Sequence, residues 1–256
     1  MIYLRRRGVS LVSGVPLRMS EYDWEWTPEK YDPMPEPKKR LDLYELKKSR
    51  ENEPWHERVL RMLFQLEKFC KQCSMCPLGC TAVKDHDTYF DPHVFSNMRP
   101  SKWVVVGQNP GYNECLRNIP FVGDAGKFFD DRLIRNFMKR DDFYITNVVK
   151  CYTINNAKPL AQHTNICESI LRMELFVLKP VLVITLGAVS FNILCPDKKL
   201  SDNVGEIVKS DKFGVNVYPI FHPSPRNMSS KFRKNKFIED VKKLCTLIKA
   251  YNDKQA

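Results

Sequence analysis

The sequence predicts an α/β fold: a single three-layer domain with a central, mainly parallel four-stranded sheet flanked by helices, preceded by an N-terminal extension. Three observations predict it. Short apolar runs alternate with segments of helical spacing, as in parallel sheets covered on both faces. The chain has 256 residues, enough for one α/β domain of about 200 residues and an appendage. Its first 54 residues differ in composition from the rest.

Residues 1–54 begin with an Arg-rich stretch and continue with aromatic, acidic and proline residues that follow no steady period. This composition predicts an extension that is either partly disordered or packed as an arm, and both alternatives stay open. Residues 55–256 form the predicted domain. It begins with a helix after Pro54, because apolar residues such as Val59, Leu63 and Leu66 share one stripe.

Four apolar runs are predicted to be the strands of the sheet: residues 102–107, 143–149, 180–187 and 215–221. Helices are predicted near residues 124–138, 160–178, 188–194 and 234–251. The loop that follows the first run, residues 107–123, carries a Pro-Gly turn, two side-chain amides and an aromatic ring. Open α/β sheets bind ligands at the carboxyl ends of their strands. We therefore expect a pocket for a small planar ligand in this loop.

The charge of the chain favours a polyanionic partner. Lys and Arg number 41 against 30 Asp and Glu, which gives a formal charge of +11 and a pI near 9.2. Nucleic acid is the commonest polyanion for such a protein, although a merely basic surface is the alternative. No apolar run reaches the roughly 18 residues of a membrane span, and the first residues lack a signal peptide's apolar region. We expect an intracellular, cytoplasmic monomer that does not bind membranes, associated with the nucleoid if the source is prokaryotic.

Nine cysteines are many for a reducing compartment, where clustered thiols usually bind metal or carry out chemistry. Two arrangements are open. Two pairs distant in sequence can meet and present four thiolates to zinc or an iron–sulfur cluster, or the local run C-x2-C-x2-C-x3-C can supply all four, with ferredoxin-like spacing. The cysteines concerned are Cys70, Cys73, Cys76, Cys80, Cys151 and Cys167. The other three, Cys115, Cys195 and Cys245, are interpreted as buried small hydrophobic residues.

Five motifs occur in a fixed order. They are GQNPG at 107–111, PFVGDAG at 120–126, ITNVVKC at 145–151 with Cys167 after it, LGA at 186–188 and HPSPRN at 222–227. From about residue 70 to the C terminus the chain thereby resembles the uracil-DNA glycosylase superfamily, and most of all its iron–sulfur prokaryotic members, family four. The resemblance implies a 4Fe–4S cluster, with zinc as the alternative, held by Cys73, Cys76, Cys151 and Cys167. Cys70 and Cys80 would then be spare.

Two positions depart from the family-four pattern. Gln108 stands where family four carries Glu, and the neighbouring Asn109 is similar to the motifs of the mismatch-specific and single-strand-selective enzymes. The segment HPSPRN is likewise similar to the single-strand-selective group. The catalytic residues are therefore of the type found in those relatives.

The resemblance assigns roles to five side chains. Phe121 would stack on a flipped pyrimidine, and Asn147 would read the Watson–Crick edge of that base. Core packing and turn capping are their alternative roles. His222 would stabilise the negative charge that develops at the base O2. Asn109 would hold the attacking water, with help from Gln108.

Selectivity is predicted to depend on Gly111. Family-one enzymes, which are highly specific for uracil, carry a Tyr there that blocks the C5 position of the base. Gly111 would leave that position open, unless Tyr112 fills the gap.

Five residues near the C terminus are predicted to hold DNA. Ser224 and Pro225 resemble a rigid backbone pinch that bends DNA, and Arg226 is placed to wedge into the gap left by the flipped base. Lys231 and Arg233, within SSKFRKNK, would contact phosphates, a solvated helix start being the alternative.

We therefore predict a monofunctional DNA glycosylase that removes uracil or a C5-modified pyrimidine and leaves an abasic site, in base-excision repair or in defence against modified foreign DNA. A catalytically inactive, glycosylase-fold adaptor for DNA binding or replication is the alternative. A redox-sensing iron–sulfur protein is a third hypothesis.

Overall fold

The computed structural model describes residues 54–85 and 88–254. The predicted extension, residues 1–54, therefore lies outside the described residues except for Pro54. Within those ranges, no helix is both long enough and apolar enough to cross a membrane.

A five-stranded sheet forms the centre of the molecule. Its strands are β3 (Trp103–Gly107), β4 (Tyr144–Asn147), β5 (Leu182–Leu186), β6 (Val208–Ser210) and β7 (Val215–Ile220). They lie in the order β4-β3-β5-β7-β6, with β6 antiparallel to β7 and all other neighbours parallel. Two further strands, β1 (Val83–Asp85) and β2 (Thr88–Phe90), form a separate antiparallel hairpin.

The four predicted strands are confirmed as a parallel sheet, and β6 is an addition that the sequence did not predict. Every residue of β3, β4 and β5 is buried, because helices cover both faces of the sheet. Strand β6 has only three residues, VKS, of which only Ser210 is buried. An edge strand of this kind leaves no apolar run in the sequence.

Helices form the two outer layers. One face of the sheet packs against α1 (Trp55–Lys71), α4 (Ala161–Leu178) and α5 (Ala188–Leu194), and the other against α3 (Asp124–Ile134) and α8 (Lys231–Asp253). Short helices complete the chain: α2 (Tyr112–Arg117), α6 (Leu200–Asn203) and α7 (Pro225–Met228), with 3-10 turns at Pro77–Cys80, Arg140–Asp142 and Ile154–Asn156.

Two helix boundaries differ from the prediction. Helix α3 ends at Ile134 rather than near 138, and Phe137 then adopts a left-handed backbone conformation with φ 60°. Helix α8 begins at Lys231 rather than near 234, because the side chain of Ser230 accepts a hydrogen bond from the Arg233 N–H and caps the first turn.

The strand register decides where the loops meet. Gly107, the last residue of β3, lies beside Asn147, the last residue of β4, and Leu186 of β5 lies beside Ile220 of β7. Because these strands are parallel, the loops that follow them all gather at one end of the sheet.

Candidate active site

The predicted site residues meet around Gly107, at the carboxyl end of β3, and this region is called the candidate pocket below. A Cβ at this position would lie 2.4 Å from Asn147 Oδ1 and 2.4 Å from Phe121 Cζ. Only a residue without a side chain leaves room for both groups. The structure therefore brings together two residues predicted to bind the base, although they are 26 positions apart in the sequence.

The side chain of Asn147 is 1% exposed, and neither its Nδ2 nor its Oδ1 has a hydrogen-bond partner within the described part of the chain. A buried polar atom without a partner costs about 1–3 kcal/mol, and a free amide offers both a donor and an acceptor. Turn capping, the alternative role, would have used one of these atoms. The amide is therefore free to pair with a ligand that enters the pocket.

Phe121 is held in an unusual conformation. Its φ of 56° lies in the left-handed region, which is strained for an aromatic residue. Arg140 donates hydrogen bonds to the carbonyl oxygens of Phe121, at 2.9 Å, and of Pro120, and it pairs with Asp130. A Cβ at Gly126 would lie 1.8 Å from the Phe121 carbonyl oxygen. Gly126 and Arg140 thus fix the ring beside Asn147.

The third predicted site residue, His222, lies beside Phe121. Its ring centroid lies 6.4 Å from that of Phe121. Gly187 has φ 85°, and a Cβ there would approach the His222 Cβ to 2.9 Å, which explains the Gly of the LGA motif. Asn227 Nδ2 donates to the His222 carbonyl oxygen at 3.0 Å. Burial lowers the pKa of His222 to about 4, so its imidazole is neutral at pH 7.

Asn109 and Gln108 form one hydrogen-bonded unit. Gln108 Nε2 donates to Asn109 Oδ1 at 2.9 Å, while Asn109 Nδ2 donates to the Pro110 carbonyl oxygen at 2.9 Å and to Thr153 Oγ1 at 3.0 Å. The Asn109 amide is therefore fixed in orientation. Its oxygen keeps capacity for one more donor, such as a water molecule.

Glu114 fastens the two ends of the pocket loop together. Its Oε2 accepts from the Gly111 N–H at 3.0 Å, and its Oε1 accepts from the N–H groups of Val122 and Gly123 at 2.8 and 2.7 Å. A Cβ at Gly111 would lie 2.6 Å from Glu114 Oε2, so this clamp itself requires a glycine. The Tyr112 ring contacts Tyr152 in a T-shaped pair and packs on the small apolar cluster around Val94.

The predicted DNA-contacting residues lie on α7 and the start of α8. Ser224 precedes α7, Pro225 occupies its first turn, and Arg226 is exposed. Lys231 is also exposed. Arg233, in contrast, is already engaged, since its Nη1 donates to Asn227 Oδ1 at 3.0 Å. Arg233 therefore supports the His222 segment as well as adding positive charge.

The four predicted cluster ligands gather on the α1 side of the sheet. Burial raises the pKa of all four thiols, and that of Cys167 reaches about 11. Neighbouring thiols raise the pKa of Cys151 further, and both Cys73 and Cys76 are among these neighbours. Cys70 and Cys80 lie within the same electrostatic cluster, so the structure does not separate the spare cysteines from the ligands.

His93 holds two of these segments together. Its backbone bridges to Cys151, its Nε2 lies 3.0 Å from the Cys73 carbonyl oxygen, and its Nδ1 lies 2.5 Å from Asp91 Oδ1. Within the described ranges, no three His, Cys, Asp or Glu side chains are arranged to hold a single metal ion. Four buried thiols near one another supply the donor chemistry that zinc or an iron–sulfur cluster uses.

A buried ion pair lies between the cysteines and the pocket. Lys150 Nζ donates to Glu174, to Thr146 Oγ1 at 2.6 Å and to the Asn147 carbonyl oxygen at 2.7 Å. Glu174 also accepts from the Tyr144 hydroxyl at 2.8 Å. Lys150 and Glu174 are both fully buried. The backbone of Asn147 is thus tied to a charge in the core.

Sequence reasoning missed five residues that shape the site: Glu114, Arg140, Lys150, Glu174 and Asn227. Lys150 and Asn227 stand inside the quoted motifs ITNVVKC and HPSPRN, so their motif membership was a usable signal. Glu114, Arg140 and Glu174 lie outside every motif, and their partners are known only from the fold.

The Phe121 ring and the unpaired Asn147 amide lie side by side, an arrangement that can stack on a planar heterocycle and pair with one of its edges. A fold and pocket of this type define a DNA glycosylase, an enzyme that hydrolyses N-glycosidic bonds. Residues 94–245 match the family described as the uracil DNA glycosylase superfamily. The chain belongs to this superfamily.

Among the relatives that carry the name type-4 uracil-DNA glycosylase are the following three. The protein of Thermotoga maritima is 32% identical over 182 residues, 70% of this chain and 91% of that protein. The protein of Pyrobaculum aerophilum is 31% identical over 167 residues, 60% of this chain and 78% of its own length. The protein of Sulfurisphaera tokodaii is 31% identical over 186 residues, 68% and 78% of the two chains. The predicted resemblance to family four is confirmed. The names of these relatives favour the enzymatic hypothesis over the inactive adaptor.

Proposed function

We propose that this chain is a monofunctional DNA glycosylase that flips uracil or a C5-modified pyrimidine out of DNA and hydrolyses its N-glycosidic bond, leaving an abasic site. The names of the relatives support uracil as the base. The observation that carries the proposal is the Asn147 amide, which is buried and unpaired beside the Phe121 ring. Its Nδ2 can donate to the uracil O4, and its Oδ1 can accept from the uracil N3–H.

Bond cleavage needs stabilisation of the charge that collects on the departing base. A neutral His222 can donate an N–H to the base O2, and in a desolvated pocket this interaction is stronger than in water. Asn109 orients a water toward the anomeric carbon but cannot deprotonate it, because an amide is not a general base. The reaction therefore depends on an oxocarbenium-like transition state and is expected to be slow.

The lysine that contacts the backbone of Asn147 supports hydrolysis rather than covalent catalysis. Lys150 Nζ donates to three acceptors beneath the pocket and is fully buried. Its Nζ is therefore engaged in the core rather than placed to attack a sugar, which supports water as the nucleophile.

Selectivity at C5 depends on the side of the pocket at Gly111. The room near its Cα is bounded by the Glu114 carboxylate and by Asn156 Oδ1, which would lie 3.2 Å from a Cβ at Gly111. No ring stands at position 111, and the Tyr112 ring packs against Tyr152 and the apolar cluster around Val94. We infer that 5-hydroxymethyluracil is accepted beside uracil.

A 4Fe–4S cluster held by Cys73, Cys76, Cys151 and Cys167 is part of the proposal. When bound, it would compensate the buried thiolates and fix the segments that carry them, with no part in the hydrolysis itself. Purified protein should contain about four irons and four sulfides per chain. A Cys→Ser change at each proposed ligand should lower both, whereas Cys195→Ser, in the core far along the chain, should not.

We infer that residues 55–256 act as one monomeric domain and that residues 1–54 are an extension of it. We place the protein inside the cell, together with the DNA on which it acts. Arg226, exposed next to the pocket segment, would fill the gap left by the base, supported by the backbone of Ser224 and Pro225. Lys231 and Arg233 would contact phosphates. A role in base-excision repair or in defence against modified DNA is compatible with this chemistry.

The test is a set of single- and double-stranded oligonucleotides that carry uracil, 5-hydroxymethyluracil or a larger C5-modified pyrimidine. After incubation, alkali cleaves abasic sites and the products are separated by length. We expect product from uracil and 5-hydroxymethyluracil, and little from either with Asn147→Ala. No abasic product with any base would overturn the glycosylase proposal, and product from uracil alone would overturn the inference about C5.

A further inference from the structure

Phe232 is an exposed aromatic residue beside the candidate pocket. It is the second residue of α8 and 72% of its surface is exposed. Its ring meets that of Phe221 at 6.5 Å and an angle of 65°. Phe221 directly precedes His222 in the chain, so one ring contact connects Phe232 to the segment that carries the proposed electrophile.

The position of Phe232 is fixed by polar contacts of its neighbour. The Arg233 guanidinium lies 5.8 Å from the centre of the Phe221 ring and donates to Asn227 Oδ1. Asn227 in turn donates to the His222 carbonyl oxygen. The start of α8 is therefore fastened to the His222 segment, and Phe232 keeps a defined place relative to the pocket.

The charge around Phe232 indicates the partner. Lys231, Arg233 and Lys234 place three cations in the first turn of α8, where the helix dipole disfavours positive charge. A bound polyanion offsets this cost. An aromatic ring flanked by cations at the mouth of a base pocket matches single-stranded nucleic acid, whose bases stack and whose phosphates take the charges.

We propose that Phe232 is a stacking platform for an unpaired base that neighbours the flipped nucleotide in the DNA strand. This inference rests on the proposed function and deepens it, because it adds a second base-binding position. That position is connected to the His222 segment through the contact between Phe232 and Phe221. The neighbouring base, once unstacked by the flipping of its neighbour, covers the exposed ring.

The test measures binding separately from catalysis. The probe is a labelled single-stranded oligonucleotide with one 2′-fluoro-2′-deoxyuridine, which resists hydrolysis, and 2-aminopurine on one side or the other. Phe232→Ala should weaken binding roughly 5- to 150-fold, the range for loss of one base–aromatic stack, and should abolish the 2-aminopurine fluorescence change on one side. Phe232→Tyr should keep both.

Phe137→Ala is the matched control. Phe137 is 89% exposed and lies 5.0 Å from Lys249, but it borders Trp103 at the opposite end of β3. This variant should bind like the wild type. The proposal is wrong if Phe232→Ala, folded by circular dichroism, binds within twofold of the wild type, or if Phe137→Ala loses as much affinity. If the wild type binds through Phe232 but releases no uracil from a strand with ordinary deoxyuridine, the proposed function is refuted and the stacking of a base on Phe232 is not.

Discussion

Asn147 and Thr185 both bury side-chain atoms that lack a partner within the described ranges. Their positions give them different meanings. Thr185 lies within β5, surrounded by core, whereas Asn147 ends β4 at the pocket. In the free protein the unpaired Asn147 amide lowers the free energy of unfolding. Hydrogen bonds to the edge of a bound base remove this penalty. A residue of this kind lowers stability in the service of binding.

Asn147→Ala should separate these two effects. We expect kcat/KM for uracil excision to fall about 100- to 1000-fold, because the donor and acceptor for the base are lost. The thermal midpoint should stay the same or rise, since a desolvated amide is removed. Thr185→Val is the control, with an unchanged or higher midpoint and wild-type activity. An Asn147→Ala protein that is fully active, or that is clearly less stable, would contradict this account.

His222 should produce a pH dependence of stability. Its pKa of about 4 in the folded protein lies below the unfolded value of about 6.5. Between these values the unfolded chain binds a proton that the folded protein does not, so the free energy of unfolding should fall as the pH drops from 6.5 to 4. Urea titrations of wild type and His222→Gln should show that the variant lacks this component.

The activity profile gives a second test of the same group. If a neutral imidazole stabilises the departing base, kcat should show no change assignable to His222 between pH 5 and 8. A loss of activity with a midpoint near pH 6.5 that disappears in His222→Gln would instead indicate a charged, solvent-accessible imidazole.

At the scale of elements, the loop between β3 and α3 is shaped by two side chains that grip its backbone. Glu114 accepts N–H groups from both ends of the loop, and Arg140 donates to the carbonyl oxygens of Pro120 and Phe121 near its C-terminal end. Together they satisfy polar backbone groups that a buried loop would otherwise leave unpaired. They also hold Phe121 in its left-handed conformation.

Glu114→Gln should loosen this loop while leaving the size of the side chain at position 114 nearly unchanged. An amide nitrogen cannot accept from the N–H groups that face the carboxylate, so at least one bond is lost. We expect kcat/KM to fall roughly 10- to 100-fold through misplacement of Phe121, with a lower thermal midpoint. Glu206→Gln, which changes an exposed ion pair with Lys243, should leave both quantities near the wild type. Equal behaviour of the two variants would refute the clamp.

Much of this element-scale picture was accessible from sequence, because apolar runs mark strands that are buried on both faces and short motifs mark the loops after them. The glycines show the limit. Gly126 and Gly187 stand in recognisable motifs, but only the fold shows that one makes room for the Phe121 carbonyl and the other for His222. Strand β6 is a three-residue edge strand with one buried residue, too short to leave a pattern in the sequence. The contacts of Arg140 with Phe121 and Pro120 join residues 19 and 20 positions apart, which composition and periodicity do not encode.

At the scale of the whole molecule, the cysteine cluster and the base pocket share one strand end. The chain passes from Asn147 at the pocket to Cys151 at the cluster in four residues, and Lys150 lies between them. Its ammonium group contacts the Asn147 carbonyl oxygen, while Glu174, from α4, supplies the opposing charge. The same helix carries Cys167. The buried Lys150–Glu174 pair therefore links the pocket to the cysteine cluster, through the Asn147 carbonyl oxygen on one side and the helix of Cys167 on the other.

Removal of this pair should distinguish its contributions to stability and to positioning. Lys150→Met or Glu174→Leu alone leaves an uncompensated buried charge and should cost about 3–5 kcal/mol of unfolding free energy. The double variant should recover most of that loss, because both charges are gone. It should not recover activity, since the Asn147 carbonyl still lacks its donor and the amide loses its fixed place.

Urea titrations and kcat/KM for the four proteins of this double-mutant cycle provide the measurement. Lys243→Met, which opens the exposed pair with Glu206, is the control and should cost no more than about 1 kcal/mol. A double variant as unstable as either single one would mean that the pair stabilises the fold by itself. Wild-type activity in the double variant would mean that Asn147 is positioned by its strand alone. The stability of the double variant thus tests the role of Lys150 in folding, and its activity tests the role of Lys150 in base recognition.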